Sequence, residues 1–104
     1  MAYGISLQAL ADPTRRRVFE LLRHGPLPVS ELANVLPVSR PAVSQHLKVL
    51  LAAGLVVAER RGRQRLYSVD PSGLRELREW LDSLWDHALD NFATSLIANT
   101  LEPS

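Results

Sequence analysis

The chain has 104 residues, 46% hydrophobic and 22% charged, enough for one small domain that folds on its own core. It contains no cysteine, which excludes disulfides, thiolate metal sites and cysteine nucleophiles together. The formal net charge of +1 hides an asymmetry: residues 1–65 carry ten of the twelve Lys and Arg against four acids, while residues 66–104 carry two against seven. A basic body with an acidic tail points to an anionic partner for the first part only.

Ile5 to Leu10 reads as a short first helix, with Leu7 on it. Asp12-Pro13 is a start signal, Asp as N-cap and Pro at the first helical position. The helix it opens runs to about His24, with Val18, Leu21 and Leu22 as its core stripe, and Gly25-Pro26 stops it. Arg15-Arg16-Arg17 sits in its first turn, where cations oppose the helix dipole. The trio reads as a solvated face, with phosphate contact as the alternative. Leu27-Pro28 introduces a third helix, about Val29 to Leu36, with Leu32, Ala33 and Leu36 inward. Pro37-Val38 is a tight connector.

The stretch Val38 to Leu55 is the most strongly punctuated. Ser39 is an N-cap whose hydroxyl can accept from an orphan backbone N–H. Pro41 lies in the first turn, where no intrahelical donor is lost, and Gly54 can take the left-handed conformation that ends a helix. Val43, Leu47, Leu50 and Leu51 step by three and four to make one buried stripe. The other face offers Arg40, Ser44, Gln45 and Lys48, and no acid. Arg, Ser and Gln at a helix end are the groups that read base edges in a major groove. A short helix, a turn and then a polar-faced helix is the helix-turn-helix arrangement.

Leu55–Arg60 and Gln64–Val69 are two strand-like runs, joined by Arg61-Gly62-Arg63 with Gly62 free to adopt positive φ. Arg60, Arg61, Arg63 and Arg65 crowd the tip. That clustering is poor for folding and good for phosphate contact. Such a hairpin is marginal alone and must lean on the helices.

Asp70-Pro71 repeats the start signal, and a long helix follows, about Pro71 to Ile97. Leu74, Leu77, Leu81, Leu84, Ala88 and Phe92 step by three and four, and Trp80, Trp85 and Leu89 broaden the stripe. So wide a face exceeds what one small protomer can bury, so a symmetric dimer is expected. Leu101-Glu102-Pro103-Ser104 is expected to fray. No repeat, linker or composition shift marks a second domain, so residues 1–104 are expected to form a single domain.

Taken together, the order of elements resembles the ArsR family of bacterial winged helix-turn-helix repressors, which work as homodimers. Three segments carry the resemblance: Ala9-Leu10-Ala11-Asp12-Pro13-Thr14-Arg15, Val38 to Leu55, and Gly62-Arg63-Gln64-Arg65-Leu66-Tyr67-Ser68-Val69. It spans about Leu7 to Leu96. It implies a mainly α fold of about five helices with a two-stranded wing. It implies that Ser39–Ala53 enters the major groove, with Ser39, Arg40, Pro41, Ser44, Gln45 and Lys48 at the DNA. The Glu59–Ser68 hairpin becomes the wing, bringing Arg61, Arg63 and Arg65 to backbone or minor groove. The first and last helices become the dimer interface, through Leu7, Leu77, Leu81, Leu84, Trp85, Ala88 and Phe92.

The chain departs from the family in one place. Many relatives sense metals through cysteines in the helix before the reading helix, where this chain has Ser30-Glu31-Leu32-Ala33-Asn34-Val35. Others use Asp-x-His and His-x-x-Glu on the last helix. Here His87 is that helix's only histidine, with Asp86 and Asp90 beside it. No metal and no cofactor are expected. His24 ends a helix, where a cation is favoured, and His46 flanks the buried stripe, where packing suffices.

The expected function is sequence-specific binding of double-stranded DNA by a homodimeric, cytoplasmic repressor that can control its own promoter. No apolar run reaches the roughly 18 residues of a membrane span, and Met1-Ala2-Tyr3 lacks a secretory pattern. The alternative is a winged-helix interaction module that has lost DNA binding, against which the tip arginines and the acid-free face of Arg40, Ser44 and Gln45 argue. An enzyme is not expected: no nucleophile, base and orienter share a readable spacing, and no Gly-rich phosphate loop occurs.

Overall fold

Three side-chain caps open the helices. The Asp12 carboxylate accepts from the Arg15 backbone N–H at 2.9 Å, the Ser39 hydroxyl from Ala42 N–H at 3.3 Å, and the Asp70 carboxylate from Ser72 N–H at 2.9 Å. Each satisfies a donor that the first turn leaves orphaned. The computed structural model describes residues 2–101. Its elements are α1 (Ala2–Ala11), α2 (Pro13–Leu21) with a 3₁₀ turn over Leu22–His24, α3 (Val29–Val35), α4 (Arg40–Ala52), β1 (Val56–Arg61), β2 (Gln64–Val69) and α5 (Pro71–Leu101).

Several boundaries differ from those expected of the sequence: α3 ends at Val35 and not Leu36, and β1 runs from Val56 to Arg61 and not from Leu55 to Arg60. α1 starts at Ala2 rather than Ile5. It has no acidic first turn to announce it; packing holds it, with Ala9 and Ser6 buried and the Ser6 hydroxyl donating to the Ala53 carbonyl at 3.4 Å. The second helix tightens into its 3₁₀ turn before Gly25, whose φ of 134° breaks the spiral. α5 runs four residues past Ile97. Leu101 is therefore helical, and Glu102-Pro103-Ser104 lie outside the described residues.

α4 ends in a Schellman motif. Gly54 sits at φ 75°, its N–H donates to the Leu51 carbonyl at 3.0 Å, and the Leu55 N–H reaches the Leu50 carbonyl at 3.1 Å. The turn delivers Leu55 and Val56 into the core beside Val18, Leu22, Leu32, Leu36, Val43, Leu47, Leu50 and Tyr67, all buried. Leu51, placed in the buried stripe by its spacing, is only half-buried. Gly54 also meets α5: a Cβ on Gly73 would overlap the Gly54 carbonyl.

β1 and β2 pair antiparallel, Val56 with Val69, Ala58 with Tyr67 and Arg60 with Arg65, closing at Arg61 and Gln64. Gly62 has φ 59°, and among the described residues only glycines have positive φ. A two-residue loop with positive φ only at its first position is a type II′ turn, whose twist suits a hairpin. The far edge of β2 is also held, because Tyr67 N–H donates to the Leu27 carbonyl and Leu27 N–H to the Tyr67 carbonyl, both at 2.9 Å.

α5 meets α1 near its start, and Gly73, Leu77 and Trp80 are half-buried there. From Leu81 to Ala98 every described side chain is exposed. A helix of 31 residues is about 46 Å long, and it sets the long axis of a molecule measuring 71 × 26 × 23 Å.

Candidate nucleic-acid interface

The outward face of α4 follows from the burial of its opposite face. Val43, Leu47 and Leu50 are fully buried, so Arg40, Pro41, Ser44, Gln45 and Lys48 are turned outward and exposed. Arg40, Ser44, Gln45 and Lys48 stand on the outer face where their spacing places them, and Pro41 lies in the first turn. Ser39, exposed at the N-cap, spends its hydroxyl on the cap. No acid occurs on this helix.

Pairing register divides the four wing arginines between two faces. Val56 and Tyr67 are buried, so the face they share with Ala58 and Val69 looks toward the helices, and Arg60 and Arg65 occupy its distal end. The Arg65 guanidinium carbon lies 5.5 Å from the centre of the Tyr67 ring, a cation–π distance. Arg65 and Tyr67 line an open groove with Ser44, Lys48 and Leu51 of α4. Arg61 falls on the outer face, its Nε 3.6 Å from the Glu59 carboxylate, with both side chains well exposed. An ion pair so exposed is weak and yields readily to a competing phosphate. Arg63 sits in the turn. The three-residue joint Arg61-Gly62-Arg63 expected of the sequence would set Arg60 against Gln64; the turn is instead the two residues Gly62 and Arg63, and Arg60 pairs with Arg65.

The basic trio of α2 also divides. Arg16 and Arg17 are exposed, whereas Arg15 turns inward. Its Nη1 donates to the Ala9 carbonyl at 3.2 Å, and its buried Nε has no hydrogen-bond partner among the described residues. Arg15 thereby ties α1 to α2, a role its place in a charge run concealed. The Arg15 backbone N–H holds the Asp12 carboxyl below the usual carboxylate range, opposed by desolvation and aided by the charge of His46. His46 is half-buried on α4, consistent with packing, and its Nδ1 is buried with no hydrogen-bond partner among the described residues.

His87 Nδ1 lies 2.7 Å from the Ser83 carbonyl on its own helix, and His24 accepts from Arg23 Nε at 3.1 Å. Among the described residues no group of three or more His, Cys, Asp or Glu could hold a metal ion. Nor is any described helix long and apolar enough to cross a membrane.

Of the expected dimer residues, Leu7, Leu81, Leu84, Trp85 and Phe92 are 40–65% exposed. Ala88 is exposed with them and Leu77 is half-buried. They leave an apolar stripe along the projecting part of α5.

A capped helix with an acid-free outer face, a preceding short helix and a basic hairpin beside it define a winged helix-turn-helix protein, a DNA-binding class without catalytic chemistry. Comparison with known proteins agrees. The family model "Helix-turn-helix domain" matches residues 10–59. The chain is 59% identical over 86 residues to the HTH-type transcriptional regulator Rv2034 of Mycobacterium tuberculosis, spanning 83% of this chain and 80% of that one. It is 31% identical over 74 residues to the transcriptional repressor SdpR of Bacillus subtilis, spanning 71% of this chain and 82% of the repressor. It superposes on the crystal structure of an ArsR family transcriptional regulator with a TM-score of 0.72 at 32% identity, covering 83% of this chain and 98% of the other. The chain belongs to the ArsR family of helix-turn-helix transcriptional regulators.

Proposed function

We propose that the protein is a homodimeric repressor of transcription that binds an inverted-repeat operator, including one at its own promoter, in the cytoplasm. α4 of each protomer lies in the major groove. Ser39, Arg40, Pro41, Ser44, Gln45 and Lys48 face the DNA, while Arg61, Arg63 and Arg65 of the wing lie over backbone or minor groove. The observation that carries this reading is the outward, acid-free face of α4 flanked by the basic hairpin. Similarity to a named repressor supports the direction of regulation.

Dimerisation runs through α1 and α5, and the exposed stripe of Leu81, Leu84, Trp85 and Phe92 supports it. Residues 1–104 act as a single domain, since one cluster of buried side chains joins α1 to the wing. Two-fold symmetry with one reading helix per protomer sets half-site centres about one helical turn apart, roughly 10 bp. No metal takes part, because the chain offers no thiolate and a single histidine on α5.

Selection of bound fragments from the source genome, followed by footprinting from the gene's own upstream region, tests the proposal. A protected inverted repeat with that spacing is expected. A short asymmetric footprint saturated by one chain would contradict it.

A further inference from the structure

Arg60 and Arg65 are direct cross-strand partners on the wing face that looks toward the helices. Like charges in that relation destabilise a hairpin, and neither arginine is in an ion pair among the described residues. The nearest acid along the strand, Glu59, is on the opposite face with Arg61. The Tyr67 ring underlies Arg65 at 5.5 Å. That ring is a fixed platform: Tyr67 is 8% exposed, its backbone N–H and C=O are both bonded to Leu27, and Ala58 of β1 is its cross-strand neighbour. Across the groove stand the Ser44 hydroxyl and the Lys48 ammonium of α4, and no carboxylate lines it.

We propose that this groove seats one backbone phosphate of duplex DNA per protomer, held by its lining residues Arg65, Lys48 and Ser44 and reached from the neighbouring strand by Arg60, the cross-strand partner of Arg65, with Tyr67 as the positioning residue for Arg65. The proposal rests on the reading of this face as DNA-binding and adds to it Arg60, Tyr67 and the joint use of helix and wing. Two cations, Lys48 and Arg65, line the groove with no carboxylate beside them, and Arg60 stands opposite Arg65 on the neighbouring strand, a like-charge pairing that an incoming anion relieves. The groove is open and continuous with the reading face of α4, so the phosphate that fits is one on a duplex lying along that face. Tyr67 makes no DNA contact; it removes the rotamer freedom that Arg65 would otherwise lose on binding.

The test uses the full chain and random-sequence duplex, with affinity measured against salt and thermal midpoints measured alongside. Arg60→Ala and Arg65→Ala are each expected to weaken binding about tenfold at low salt. Each should flatten the log–log salt slope by about one unit for every phosphate that is no longer neutralised. Their thermal midpoints should hold or rise, because a repulsion is removed. Arg75→Ala, on α5, is the control for reduced net charge and should leave the slope unchanged. Tyr67→Leu should match Arg65→Ala, add nothing to it in the double variant, and be rescued by Tyr67→Phe, which keeps the ring.

Wild-type slopes in both arginine variants would overturn the proposal, as would affinity losses that only track a falling midpoint. A Tyr67→Leu loss undiminished when Arg65 is absent would overturn the positioning role. Displacement of duplex by millimolar inorganic phosphate at constant ionic strength would reassign the groove to a free anion. Failure of the wild-type chain to bind any duplex would instead overturn the underlying DNA-binding reading.

Discussion

Gly73, in the first turn of α5, is packed so closely on Gly54 that a methyl group on Gly73 has nowhere to go but into the Gly54 carbonyl. The obstacle is backbone, not the end of a flexible side chain. Gly73→Ala should therefore destabilise, by about 1–3 kcal/mol from overpacking, even though alanine favours a helix interior by about 1 kcal/mol over glycine. Thermal or denaturant unfolding checks it. A more stable variant would show that α5 can shift away from α4 freely.

The stripe on α5 predicts assembly. Sedimentation at micromolar concentration should give about twice the 11.6 kDa chain mass. Leu84→Glu or Phe92→Glu, at positions 50% and 63% exposed in one chain, should give monomers that keep their helical content but bind operator poorly. A wild-type monomer at that concentration would end the dimer proposal.

Base reading and backbone contact should separate by position. Arg40→Ala or Gln45→Ala should cost roughly 1–3 kcal/mol on the operator for each base edge left unread, and should relax preference at one position in each half-site. Affinity for random duplex should change less. Arg63→Ala at the wing tip should lower specific and random binding together. If Arg40→Ala and Gln45→Ala weakened all DNA equally while Arg63→Ala changed base preference, the two surfaces would be reversed.

Asp12 predicts a pH signature. Its carboxyl titrates below the ordinary value of 3.8 because the ionised form accepts from Arg15 N–H. The folded state thus holds its proton less tightly than the unfolded state. The cap is fully effective above the unfolded value and is lost as pH falls through the lower folded one. Asp12→Asn keeps an accepting cap but does not titrate. The wild-type thermal midpoint should therefore drop relative to Asp12→Asn as pH is lowered below about 4. Parallel curves would mean that Asp12 contributes no linkage.

The reading helix was legible because every signal for it is local. Ser39, Pro41 and Gly54 act within a few residues of themselves, and the alternation of Val43, Leu47 and Leu50 with Ser44, Gln45 and Lys48 fixes inside and outside at once. The start of α1 was not legible, since its stability comes from distant packing and not from a cap. The inward turn of Arg15 toward Ala9 was hidden in a run of three identical residues that looked uniformly solvated. The division of the wing arginines depends on register, and register depends on the two-residue turn at Gly62 and Arg63. A three-residue loop, Arg61 to Arg63, would have set Glu59 opposite Arg65 and turned Arg60 to the outer face.

The paired hydrogen bonds between Leu27 and Tyr67 make the hairpin a three-stranded structure at one point, anchored to the segment between α2 and α3. A wing moored there cannot swing independently of the reading helix. On the proposed DNA-binding mode, each protomer therefore approaches a duplex as a rigid caliper, with a fixed distance between the groove that α4 would enter and the backbone that the wing would touch. In the proposed dimer, any variation among operators in the separation of half-sites would be absorbed elsewhere, by flexing where α5 joins the protomers or by bending of the DNA. Bending depends on the steps between the half-sites. Sequence preference should consequently extend to central base pairs that no side chain reaches.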